Sequence, residues 1–266
     1  MARHRDGRLL AGIVSVLMAV GCTDPAEPGQ PPTATPKPTV QPSPSAEPTP
    51  GRPVTFLASD GVRIAGRVFG EGHLGVVLGH QIDGDQRDWW DFAQLLADEG
   101  YAALSINFRG YCPQDGAGCS GDGGTANAWR DLLAGAGVLR RRGVRNVVLI
   151  GASMGGTASL VAAAEAGPDV TGVITLSAPT DCCGMEADAT VVESIDAPLL
   201  SIAGRFDGDA PQSARRVARW AGSSSESVIL ASGEHGTDLI GGLATPQVER
   251  RATDLILEFL DRITRQ

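Results

Sequence analysis

The sequence predicts an α/β domain built on a mainly parallel, twisted sheet with helices on both faces. Two observations carry that expectation. Short runs that are apolar at nearly every position, such as residues 75–79, 147–150 and 199–203, recur along the chain. Strands of that kind are buried on both faces, as in parallel sheets. Between them lie longer segments with apolar residues at helical spacing, which supply the covering layers.

The elements follow in order. Residues 54–58 and 63–69 read as two strands joined by Ser59-Asp60-Gly61, a hairpin signal. Residues 75–79 form a buried strand. Residues 88–98 have helical spacing, with Trp90, Phe92, Leu95 and Leu96 as expected core contacts and Gly100 as the stop. A strand over 101–108 precedes a helix over 125–142 that carries Trp129, Leu132, Leu133 and Leu139. The run Val147-Val148-Leu149-Ile150 leads through a glycine-rich turn into the small-residue helix 157–164. Strands over 170–176, 197–203 and 227–230 alternate with helices over 211–220 and, at the end, 245–264. No internal repeat interrupts this order.

The N-terminal part has a different composition. Residues 1–21 read as an export signal: Arg3, Arg5 and Arg8 precede an apolar run over 9–20. That run is too short for a permanent transmembrane helix. Ala19-Val20-Gly21-Cys22 resembles a bacterial lipoprotein signal, which implies a lipid on Cys22 and an outward-facing membrane anchor. Ala19 stands where that pattern prefers Leu, and an ordinary secretory signal cleaved nearby is the alternative. Residues 22–53 read as a disordered linker, because 23–53 hold 11 of the 17 prolines and show no apolar periodicity. Residues 54–266 are then a single folded domain. The net charge of −9 argues against nucleic acid as a partner.

Without Cys22, four of the five cysteines remain, an even number that suggests disulfides in an exported protein. Cys112 and Cys119 bracket a glycine-rich loop and are the first expected pair. Cys182 and Cys183 are then a vicinal bridge or two thiols, and crossed pairing between the two loops is the rival. Zinc is disfavoured, since no histidine lies near these cysteines in sequence, and neither metal nor cofactor is expected.

The chemistry centres on Gly151-Ala152-Ser153-Met154-Gly155-Gly156, a Gly-x-Ser-x-Gly turn between a strand and a helix. Such a turn displays a serine hydroxyl at the top of a sheet. A serine needs a base, and the chain has four histidines. His4 belongs to the signal, while His73 and His80 precede the serine. His235 follows the last strand. A carboxylate to orient it is offered by Asp207, in Gly204-Arg205-Phe206-Asp207, with Asp209 and Asp181 as rivals.

The order Ser, acid, His on these motifs resembles the α/β-hydrolase fold family over nearly all of residues 54–266. The resemblance implies Ser153 as nucleophile, His235 as general base and Asp207 as the orienting acid. It also implies an oxyanion hole from Met154 N–H and a second N–H in His80-Gln81-Ile82. That loop resembles the family's His-Gly-x segment with Gln81 in place of glycine. Ile82 N–H is the matching donor and Gln81 N–H its rival, while His80 braces the loop. Asn107-Phe108-Arg109-Gly110 resembles an Asp-x-Arg-Gly segment with Asn for Asp. Arg109 is expected to anchor a loop, with contact to an anionic substrate as the alternative.

About 20 residues separate the strand ending near Leu176 from the one starting near Leu199, too few for a separate cap domain. The chain therefore resembles the dienelactone-hydrolase-like and serine esterase group, although dienelactone hydrolases often carry cysteine where Ser153 stands. The implied activity is hydrolysis of a small-molecule ester or acyl substrate, with peptidase or thioesterase action as alternatives. A second reading is a tethered binding lipoprotein that has lost activity, supported by the departures at Gln81 and Asn107.

Overall fold

The computed structural model describes residues 50–113 and 118–265. The expected signal, Cys22 and residues 23–49 of the expected linker lie outside the described residues. Strand β1 (Arg52–Leu57) pairs antiparallel with β2 (Arg63–Phe69), and β2 pairs antiparallel with β4 (Ala102–Asn107). The rest of the sheet is parallel: β3 (Leu74–Gly79), β5 (Asn146–Ala152), β6 (Gly172–Leu176), β9 (Leu199–Gly204) and β10 (Ser225–Leu230). The eight strands lie in the order β1-β2-β4-β3-β5-β6-β9-β10.

The chain leaves β3 towards β4 on one side and returns to β5 on the other. The loops after β3 and β5 therefore diverge, and a crevice opens at the carboxyl ends of these two strands.

Two cores flank the sheet because successive side chains point to opposite faces. Val77, Leu104, Val147 and Leu149 pack on one face with α2 (Trp129–Arg141) and α3 (Met154–Ala166). Val76, Leu78, Val148 and Ile150 pack on the other with α1 (Trp90–Asp98) and α6 (Pro246–Thr264). In α6 the buried residues are Ala252, Leu255, Ile256, Phe259, Leu260 and Ile263, a continuous helical stripe.

One expectation changes in α1. The buried stripe is Trp89, Phe92, Ala93 and Leu96, while Trp90 and Leu95 are only half-buried. A 3-10 turn over Gln86–Trp89 leads into the α-helix and places Trp89 one turn ahead of Phe92. Trp90 instead lies under the Arg67 guanidinium, 5.1 Å from the ring centroid.

Between β6 and β9 the chain forms a hairpin of β7 (Asp181–Cys182) and β8 (Met185–Glu186) and the short helix α4 (Ala189–Glu193), with no cap domain. The hairpin turns at Cys183 (φ 61°) and Gly184 (φ 80°), both left-handed as a tight two-residue hairpin turn requires. The structure pairs Cys182 with Cys183 and Cys112 with Cys119, and it shows no crossed pair among the described residues. Helix α5 (Ala210–Ala221) follows β9 and covers β9 and β10.

Candidate active site

Ser153 sits between β5 and α3 at φ 48°, ψ −114°, a backbone conformation costly for any residue with a Cβ. Local geometry enforces it. A Cβ on Gly151 would overlap Gly155 O, and one on Gly155 would overlap Gly79 O and lie 2.7 Å from His80 O. A Cβ on Gly156 would lie 2.5 Å from Ala178 Cβ. The three glycines thus let α3 start against the ends of β3, β5 and β6. Ser153 N–H donates to Leu176 O at 2.8 Å, and Ser153 O accepts from Gly156 and Thr157 N–H. The residue is 8% exposed.

His235 and Asp207 meet directly. His235 Nδ1 lies 2.9 Å from both carboxylate oxygens. An ionised carboxylate only accepts, so Nδ1 carries the proton and Nε2 is left as the acceptor. Among the described residues neither Asp181 nor Asp209 bonds His235. Asp181 is exposed on β7, and Asp209 precedes α5.

The turn after His235 reaches the elbow: a Cβ on Gly236 would lie 3.3 Å from Ala152 Cβ. Among the described residues no hydrogen bond joins Ser153 Oγ to His235. Catalytic hydrogen bonds are often loose without ligand and tighten in the substrate complex.

The loop after β3 lies opposite. His80 is fully buried; its Nδ1–H donates to Gln81 O at 2.7 Å and its Nε2 accepts from Phe108 N–H at 3.1 Å. Burial pushes its pKa down to about 4, so the ring is neutral. Among the described residues the N–H groups of Gln81, Ile82 and Met154 have no protein acceptor. Clefts of about 350 Å³ and 240 Å³ flank this loop and share Asp83, Gly84 and Asp88 in their walls.

Both departures from the family pattern have structural work to do. Asn107 Nδ2 donates to Gly118 O at 2.6 Å, and its Oδ1 accepts from Gln86 N–H at 2.8 Å. An ionised aspartate could accept but not donate. Gln81 Oε1 accepts from Thr237 N–H and Oγ–H at 3.1 and 3.2 Å. Arg109 is buried and bonded to two carboxylates, Asp131 at 2.7 Å and Asp60 at 2.7 Å. It holds the Asp60 carboxyl below the usual carboxylate range. With its charge so compensated, Arg109 is a loop anchor and not an anion site.

Sequence reasoning passed over Thr237 and Gly236, whose signal was only their position after His235. It also passed over Phe206, which stands 74% exposed beside Asp207. Among the described residues no three His, Cys, Asp or Glu side chains group as metal ligands, and no helix is long and apolar enough to cross a membrane.

A family model described as alpha/beta hydrolase fold matches residues 76–255. No curated protein matches the sequence. Among solved structures, a thermophilic esterase from Thermogutta terrifontis, malate bound, superposes with a TM-score of 0.64 at 16% identity, covering 80% of this chain and 99% of that one. A dienelactone hydrolase from Anabaena variabilis gives 0.63 at 19% identity, covering 80% and 97%. An esterase domain from a Rhodothermus marinus protein gives 0.61 at 20% identity, covering 79% and 98%.

Proposed function

We propose that this chain, which belongs to the alpha/beta hydrolase fold family, is a serine hydrolase that cleaves carboxylic esters through an acyl-enzyme at Ser153. The observation that carries the reading is the strained Ser153, held at φ 48° by glycines that cannot take a Cβ. Such strain persists only where the surroundings over-determine it, and it is concentrated at functional sites.

In this reading His235 Nε2 takes the Ser153 Oγ proton as Oγ bonds to the ester carbonyl carbon. Asp207, on Nδ1–H, fixes the tautomer and stabilises the imidazolium. The carbonyl oxygen becomes an oxyanion facing Met154 N–H and one of the two free N–H groups of the β3 loop, Ile82 or Gln81. Collapse breaks the bond to the alcohol, which leaves with the proton from His235. Water then repeats the sequence, releasing the acid and restoring Ser153. Esterase structures among those of the same fold support an ester as substrate, and the absence of a cap between β6 and β9 supports a small, openly bound one.

The test is active-site labelling. A fluorophosphonate should label the wild-type protein and leave Ser153→Ala unlabelled, and p-nitrophenyl acetate hydrolysis should be lost in the variant. Equal labelling of both proteins would sink the assignment, and labelling of neither would favour a binding protein.

A further inference from the structure

Gln81 stands where the family pattern has glycine, and its bonds run in two directions. Its carbonyl accepts from His80 Nδ1–H at 2.7 Å and from Gly84 N–H at 3.1 Å. Its side chain crosses to the turn after His235, where Oε1 accepts from Thr237 N–H at 3.1 Å and Thr237 Oγ–H at 3.2 Å. A backbone N–H can only donate, so it fixes which end of the amide faces Thr237. The partner turn is shaped to receive it. Gly236 has φ 58°, and a Cβ there would overlap Gln81 Oε1.

The two loops leave β3 and β10, strands separated by three others in the sheet. Among the described residues no backbone hydrogen bond joins them. The Gln81 amide spans that gap. On one side are the free N–H groups of Gln81 and Ile82, and on the other is His235.

We infer that Gln81 is a positioning residue. Its Oε1 holds the His235-Gly236-Thr237 turn against the β3 loop, so that base and oxyanion donors keep one spacing through the reaction. The inference rests on Ser153 and His235 being nucleophile and base. Gln81 Oε1 acts through Thr237 and touches no reacting atom. The effect is large because a displacement of about 1 Å at a reacting centre can cost on the order of 100-fold in rate.

Gln81→Met keeps the side-chain length and removes the acceptor. Gln81→Glu keeps the acceptor and adds a negative charge near His235. Wild type, Ser153→Ala and both Gln81 variants are compared for fluorophosphonate labelling rate, for kcat and KM on p-nitrophenyl acetate, and for the pH profile of kcat/KM. Gln81→Met should label and turn over about 10- to 100-fold more slowly. Its KM should move by less than about threefold, the sign of an interaction used in the transition state. Gln81→Glu should recover most of kcat, and the acid limb of its profile should move to higher pH, because a nearby anion favours the imidazolium.

If wild type labels, Ser153→Ala does not, and Gln81→Met matches wild type in rate and profile, the inference is overturned while the Ser153 reading stands. If wild type and Ser153→Ala label alike, both fall. Should Gln81→Met not fold, Gln81→Asn, whose amide is one methylene shorter, takes its place, and wild-type labelling rate and kcat in that variant overturn the inference.

Discussion

Burial removes water as a partner for His80, and both ring nitrogens are taken by the backbone of the loops after β3 and β4. Protonating Nε2 would break its bond from Phe108 N–H. The unfolded chain takes up that proton near pH 6.5, whereas the folded chain resists until about 4. His80 therefore adds stability that is complete above pH 6.5 and is lost as the pH falls towards 4. The loss amounts to about 3 kcal/mol. In urea unfolding, the gap between wild type and His80→Asn should narrow on going from about pH 7.5 to about pH 4.5. A gap that stays constant would contradict the assignment. The bracing role of His80 was legible in the sequence through the resemblance of His80-Gln81-Ile82 to the family's His-Gly-x loop. The roles of Asn107 and Gln81 were not. Both stand out as departures from a family pattern, but their partners Gly118 and Thr237 come from distant loops. Those partners turn two signs of lost function into loop couplings.

The elbow is a matter of how α3 meets the sheet. Gly155 lies against the carbonyls of Gly79 and His80, so a methyl at this position must push the helix away from β3. Backbone atoms cannot rotate aside as a side chain can. Gly155→Ala should cost about 3 kcal/mol, at the upper end for overpacking. It should also abolish fluorophosphonate labelling, read by thermal unfolding and labelling on one preparation. A stable, fully labelled variant would show that the helix has room to shift. Long elements were legible here because their periodicity is strong: α2, α6 and the buried strands fall where the apolar pattern puts them. The phase of α1 was less so, since two adjacent tryptophans fit the stripe and only the entering 3-10 turn selects Trp89. The β7–β8 hairpin was missed because two-residue strands carry no period.

At the scale of the molecule, the N-terminal composition and the folded domain make separate claims. The basic start, the apolar run and Ala19-Val20-Gly21-Cys22 support a proposal of export and lipid attachment at Cys22. On fractionation of expressing cells, the wild type should sediment with membranes, and Cys22→Ser should move to the soluble fraction. A wild type found in the soluble fraction would support an ordinary secretory signal cleaved nearby, and a Cys22→Ser protein that stays with membranes would contradict lipid attachment at Cys22. Within the domain, the sequence by itself determined that the strands are buried on both faces, that a serine lies on a tight strand-to-helix turn, and that His235 follows the last strand. Each of these is a local pattern, written in neighbouring residues. Only the tertiary structure decided that β3 lies between β4 and β5, that Asp207 rather than Asp181 or Asp209 meets His235, and that Gln81 reaches Thr237. The physical reason is that strand order and loop-to-loop contact depend on hydrogen bonds between residues far apart in the chain. No local periodicity encodes those bonds.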